Sequence, residues 1–176
     1  MKIVAIFADK LFAVHYSNQK DNELKRILKS WSTPIFLVDF VINNSKDTIH
    51  FDRDELIECL IDDVNALEDI INNCAKNDGI TDFDNFFKPL NNNEYREIIL
   101  SERKGRQNFL RLYAIKIDKN CYLITGGAIK FPNVHNMRDR PHLQEELNKL
   151  NRCKTFLKHN NIFDKDSFFE LINSEP

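Results

Sequence analysis

Residues 96–130 read REIILSERKGRQNFLRLYAIKIDKNCYLITGGAIK, and the alternation of apolar runs with turn formers along them decides the architecture. Arg96 to Glu102, Phe109 to Ile117 and Cys121 to Lys130 are short runs rich in β-branched and aromatic residues. Lys104-Gly105 and Asp118-Lys119-Asn120 separate them and suit tight turns. Adjacent strands joined this briefly pair with each other, so the stretch predicts a three-strand antiparallel meander.

On the C-terminal side the period changes from two to three or four. Leu143, Leu147, Leu150, Cys153 and Leu157 share one face of a helix that starts near Pro141, and Ser167 to Ile172 adds one more helical turn. On the N-terminal side, Thr81 to Asn93 reads as a loop held down by Phe83, Phe86 and Phe87. Before it stands a long amphipathic helix. Asp52 is its N-cap, Glu55 completes a capping box, Gly79 closes the far end, and Leu56, Leu60, Val64, Leu67, Ile71 and Cys74 recur at helical spacing. Thr33-Pro34 opens a second short helix over Ile35 to Ile42, where pattern alone leaves a buried strand open. Asn22 caps a helix from Glu23 to Trp31, and Lys2 to Val14 reads as a strand or a hairpin turning at Asp9-Lys10.

The expected fold is a single α+β domain over residues 1–176. Its antiparallel sheet combines the N-terminal strand or hairpin with the meander and is packed with helices. Residues 39–87 form an acidic helical insertion, and residues 88–160 the basic meander plus C-terminal helix. Composition agrees: 42% hydrophobic residues, fourteen Phe among them, can fill a core, and four Gly with five Pro leave little for a linker. No run approaches the ~20 apolar residues of a membrane span. The opening MKIVAIFADKLFAV is broken by Asp9 and Lys10 and reads as a strand rather than a signal peptide. Cys59, Cys74, Cys121 and Cys153 form no close pair, which predicts reduced, mostly buried thiols and a cytoplasmic protein.

A net charge of −2 conceals a strong asymmetry. Asp39 to Phe86 holds thirteen acids against three bases, and Arg96 to Asn160 fourteen bases against six acids. Such a division points towards nucleic acid. Arg103, Lys104 and Arg106 crowd the predicted turn, Arg111 follows on the next strand, and Lys130 ends the third. Strand alternation sends Arg111 and Tyr113 to one face, with Glu102 and Leu112 on the other. Guanidinium forks bind phosphate, and a phenol ring stacks on an unpaired base. Solvated turn residues and a core tyrosine would produce the same pattern. His135 and His142, seven apart, lack the carboxylate or cysteine company of a metal site.

Leu90 to Lys130, LNNNEYREIILSERKGRQNFLRLYAIKIDKNCYLITGGAIK, with the amphipathic helix after it, resembles the core of the RelE/HigB-like toxins of bacterial type II toxin–antitoxin systems. The matching features are a Leu before a strand containing Glu97, a basic turn, the strand LRLY, and an apolar strand ending in Gly-Gly and a lysine. The resemblance covers Lys88 to Leu157, with strand one and the first helix. Residues 39–87 and the acidic net charge depart from the compact, basic pattern of that family.

The resemblance implies a RelE-like sheet and cleavage of mRNA on the ribosome without metal or other cofactor. It also implies a cognate antitoxin protein as partner and no membrane. By the same likeness Arg111 clamps the scissile phosphate, Lys130 shares its charge, and Arg103, Lys104 and Arg106 bind the RNA backbone. Tyr113, offset by one place from a tyrosine of some relatives, would stack or donate a proton. His135 enters as acid or base on chemistry and position alone. Two alternatives share the scaffold: a non-catalytic binding protein and a ParE-type toxin that inhibits gyrase. A further expectation is that the acidic helix, Asp52 to Asn77, lies beside the basic sheet and shields it.

Overall fold

The computed structural model of the chain describes residues 1–76, 81–90 and 99–174. The chain opens with a hairpin of β1 (Lys2–Phe7) and β2 (Leu11–His15), then runs through α1 (Glu23–Trp31), α2 (Pro34–Asn43), α3 (Ser45–Thr48) and α4 (Arg53–Lys76). A short α5 (Phe83–Phe86) leads into β3 (Phe87–Pro89). The meander follows as β4 (Glu102–Gln107), β5 (Leu110–Asp118) and β6 (Cys121–Ile129), and a 3₁₀ turn, α6 (Pro141–His159) and α7 (Lys165–Ser174) complete the chain.

Local chemistry accounts for most boundaries. The Asn22 side chain accepts from the Lys25 amide at 3.0 Å and starts α1. Asp52 accepts from the amides of Asp54 and Glu55 and starts α4. Thr33 caps nothing with its side chain; its hydroxyl donates back to the Lys29 carbonyl instead. Asp9 and Asn120 adopt positive φ at the β1–β2 and β5–β6 turns, a conformation that short polar side chains tolerate. Gly79 and residues 96–98 lie outside the described residues, and of the rest of the predicted Arg96 to Glu102 strand only Glu102 is in β4, because Ile99 and Leu100 form a turn with Leu100 at φ 59°. The segment predicted as a loop from Thr81 carries α5 and an edge strand, β3, short enough that its three residues gave no period to read.

The sheet order is β1-β2-β6-β5-β4-β3, and one pairing corrects the expectation of an antiparallel sheet. β2 runs parallel to β6, with Leu11, Phe12 and Ala13 opposite Tyr122, Leu123 and Ile124. A parallel neighbour needs a crossover, and the helices and strands between β2 and β6 provide one. The sheet is therefore mixed.

Both faces of the sheet are covered. Leu110, Leu112, Ala114 and Ile124 meet Ile27, Trp31 and Leu37 and the apolar stripe of α4, including Leu60, Val64 and Leu67. Ile115, Ile117, Cys121 and Leu123 meet Leu143, Leu150 and Leu157 of α6 and Phe168 of α7. Three layers result. α4 is thus a structural layer of the main core rather than an appendage to it. The four cysteines are free, three of them buried and Cys59 half-buried. No helix among the described residues is long and apolar enough to cross a membrane.

A buried ionic network joins α1 to α6. Glu23, fully buried, accepts from Arg26 through both carboxylate oxygens and from Lys149 at 3.0 Å. Lys149 also donates to Glu146 at 2.8 Å. The two carboxyls fare differently. Burial works against ionised Glu23, but Arg26 and Lys149 outweigh it and hold that carboxyl below its ordinary range. Burial pushes Glu146 up, with the charge of Glu23 behind it, and outweighs Lys149 and Arg26; its Oε2 has no partner among the described residues. Gly126 makes room for that oxygen: a Cβ there would stand 1.8 Å from it.

Removing one member of such a network strands the others without water. Glu23→Ala should lower unfolding free energy by about 3–5 kcal/mol in urea titrations at pH 7. The depressed Glu23 carboxyl contributes its stability above the ordinary glutamate pKa of about 4.3 and loses it as pH falls. The gap between wild type and variant should therefore narrow below about pH 4, and a pH-independent gap would contradict this account.

Candidate nucleic-acid interface

The β4–β5 register sets which side chains meet. Arg106 stands opposite Arg111, Lys104 opposite Tyr113, and Glu102 opposite Ile115. Directly opposed residues of an antiparallel pair share a face, so Lys104, Arg106, Arg111 and Tyr113 emerge together. β6 continues the face through Ala128, opposite Arg111, to Lys130 just past the strand end. The residues after Lys130 bring His135 to the rim. These six line an open basin of about 1130 Å³ between the sheet and α6.

Three sequence expectations change here. Lys104-Gly105 is not a turn; both residues lie inside β4, and the hairpin reverses at Asn108, which takes φ 44°. Gly105 has a packing reason instead, since a Cβ there would stand 2.2 Å from the Phe86 ring. Arg103 consequently points away from the basin. It is buried opposite Ala114, bonds Ser101 through Nε, and its Nη2 finds no partner among the described residues. Glu102 falls on the Arg111 face, not the opposite one, and lines the basin tied to Lys154 at 3.1 Å. Each change follows from moving the reversal by a few residues.

The cations crowd one another. Burial, followed by the charge of Arg106, lowers the Arg111 guanidinium to about 10. Burial lowers Lys104, and Arg111 and Arg106 add to the effect. Burial likewise lowers Lys130, with Arg111 the leading charge behind it. No carboxylate among the described residues forms an ion pair with Arg106, Arg111 or Lys130. Arg111 donates to the carbonyls of Asn108 and Leu110, and Lys130 to the His135 carbonyl at 3.2 Å. Guanidinium and ammonium groups gathered this closely make the surface attractive to an anion. Tyr113 lies at the basin floor, 1% exposed, and burial pushes its phenol above the ordinary range.

The acidic helix does not shield this surface. α4 packs in the core on the other face of the sheet, so the sheet itself stands between its carboxylates and the basin. One acid of that helix, Asp63, is buried beside the hairpin turn, where burial raises its carboxyl and its Oδ2 has no hydrogen-bond partner among the described residues.

Sequence reading missed the residues that hold the rim. Asp47 of α3, buried, accepts from Arg140 Nε at 2.6 Å, from Arg140 Nη2, and from Asn133 at 3.2 Å. Asn133 and Arg140 bracket His135 and Arg138 in the segment that forms the rim. Asp47 lies in the polar stretch NNSKDT, where no period marks it, and its partners are some 90 positions away. Comparison of the chain with known protein families, curated proteins and solved structures finds no match.

The Arg140 hydrogen bonds keep the Asp47 carboxyl below its usual range. Asp47→Ala should cost about 1.5–3 kcal/mol, the worth of charge-assisted hydrogen bonds. Hydrogen exchange should quicken across residues 132–140 while β5 amides stay protected; uniform change, or none, would mean that Asp47 does not anchor the rim.

Proposed function

We propose that this chain is a metal-independent endoribonuclease of the RelE/HigB kind, a cytoplasmic toxin that cleaves mRNA on the ribosome and is neutralised by a cognate antitoxin. The observation that carries the reading is the convergence of Arg106, Arg111 and Lys130, unpaired with acids among the described residues, beside Tyr113 and His135 in one open basin. Phosphodiesters are the common biological polyanion of matching shape. Free cysteines suit a reducing compartment.

The chemistry follows from these groups. A 2′-hydroxyl attacks the adjacent phosphorus, and its proton passes to the imidazole of His135 on the rim. Arg111, charged at neutral pH, holds the non-bridging oxygens as negative charge grows, with Arg106 behind it. The leaving 5′-oxygen needs a proton. Lys130 and Lys104, whose ammonium groups are made more acidic by burial and crowding, supply it better than Tyr113, whose phenol holds its proton more tightly. Tyr113 then serves as the floor of the site. Exposed Ile35, Ile42 and Ile49 along α2 and just beyond α3 offer a protein partner apolar surface away from the basin.

A non-catalytic RNA-holding protein is favoured by one observation, that Arg111 already spends hydrogen bonds on the Asn108 and Leu110 carbonyls. Induction in a bacterial host separates the readings. Growth arrest with cut transcripts, reduced about 100-fold or more in cleavage rate by Arg111→Ala, is the expected result. Arrest with intact transcripts would point to gyrase, and no arrest to the holding protein.

A further inference from the structure

One wall of the basin is not cationic. Gln144, Leu147 and Asn151 of α6 line it across from β4 and β5. Their spacing of three and four residues puts them on one stripe of the helix. The neighbouring solvent stripe is charged, with Glu145 and Arg152 ion-paired at 2.7 Å. Amides therefore stand where a solvated helix ordinarily carries charge. The stripe ends at Lys154, whose bond to Glu102 joins α6 to β4.

From that ion pair the two elements flank the basin. Gln144 lies ten residues from Lys154, about 15 Å along the helix. Arg106 lies four residues from Glu102, about 13 Å along the strand. Gln144 donates to the Asn148 side chain at 3.1 Å, which orients its amide and leaves its carbonyl oxygen and second N–H unspent among the described residues. Met137, from the 3₁₀ turn (Met137–Asp139), adds an apolar side chain to the lining.

We infer that the α6 wall is a base-reading subsite for an unpaired RNA nucleotide whose phosphate rests on Arg106, Arg111 and Lys130. The inference depends on the nucleic-acid reading above and deepens it. Cations grip any phosphate and carry no sequence information. A primary amide sets a donor beside an acceptor and matches the edge of a base. Leu147 and Met137 offer apolar surface to the plane of that base, and only an unpaired base presents both edge and plane to such a groove. The substrate is single-stranded RNA, and Gln144 and Asn151 set its base preference.

The test uses the full chain and fluorescein-labelled 2′-O-methyl hexamers of adenine, cytosine or uracil, which lack the attacking hydroxyl and stay intact. Anisotropy titrations should show a spread in Kd of about tenfold or more among the three, the scale of one good amide–base pair. Gln144→Leu with Asn151→Leu should collapse the spread to under about threefold while the slope of log K against log salt stays unchanged, because that slope counts phosphate contacts. Gln144→Glu, nearly isosteric, should reorder the three affinities. Arg111→Ala should weaken all three alike and flatten the slope. Tight wild-type binding without a spread, or a spread that the double variant preserves, overturns the subsite and leaves the phosphate site standing. Wild-type protein that binds no hexamer at 50 mM salt overturns both.

Discussion

The register of β4 against β5 is the constraint on which the site depends. It opposes Arg106 to Arg111 and Lys104 to Tyr113, and the period of two gives all four one face. A slip of one residue would exchange them for Leu112, Ala114 and Arg103 and turn charge into the core. Several things hold the register. Leu110, Leu112 and Ala114 are fully buried on one side, Ile115 and Ile117 on the other. Asn108 accepts the left-handed turn, and Gly105 leaves space for the Phe86 ring.

The sheet also resolves the charge asymmetry of the chain. Acidic α4 and the basic basin lie on opposite faces, separated by packed backbone and apolar side chains. Repulsion among Arg106, Arg111 and Lys130 works against folding, and the two apolar layers must outweigh it. Such local conflict is expected where a surface is shaped by binding rather than by stability. Asp63 is buried behind the turn, and Asp47 holds the rim. Neither carboxylate neutralises the basin.

α6 combines three environments on one helix. Leu143, Leu150, Cys153 and Leu157 fill the core, Glu146 and Lys149 enter the buried network with Glu23, and Gln144, Leu147 and Asn151 face the basin. Gly126, opposite Tyr113, lets the Glu146 carboxylate come close to the sheet, and Gly127 lets Trp31 approach from the other face, where a Cβ would stand 3.1 Å from its ring. The Gly126-Gly127 pair thus has a packing reason on each side.

The sequence by itself determined the class of fold, the helices from Glu23, Asp52 and Pro141, the two strands around Asp118–Asn120, and the gathering of cations in the second half, and it left the segment from Pro34 open between helix and strand. Caps, helical periods and β-rich runs are local, so neighbouring residues suffice to specify them. Only tertiary structure decided that β2 runs parallel to β6, that the hairpin turns at Asn108, that Arg103 is buried, that α4 lies behind the sheet, and that Asp47 holds the rim. Direction, register and face depend on partners tens of residues away, and one displaced turn reverses every side chain beyond it.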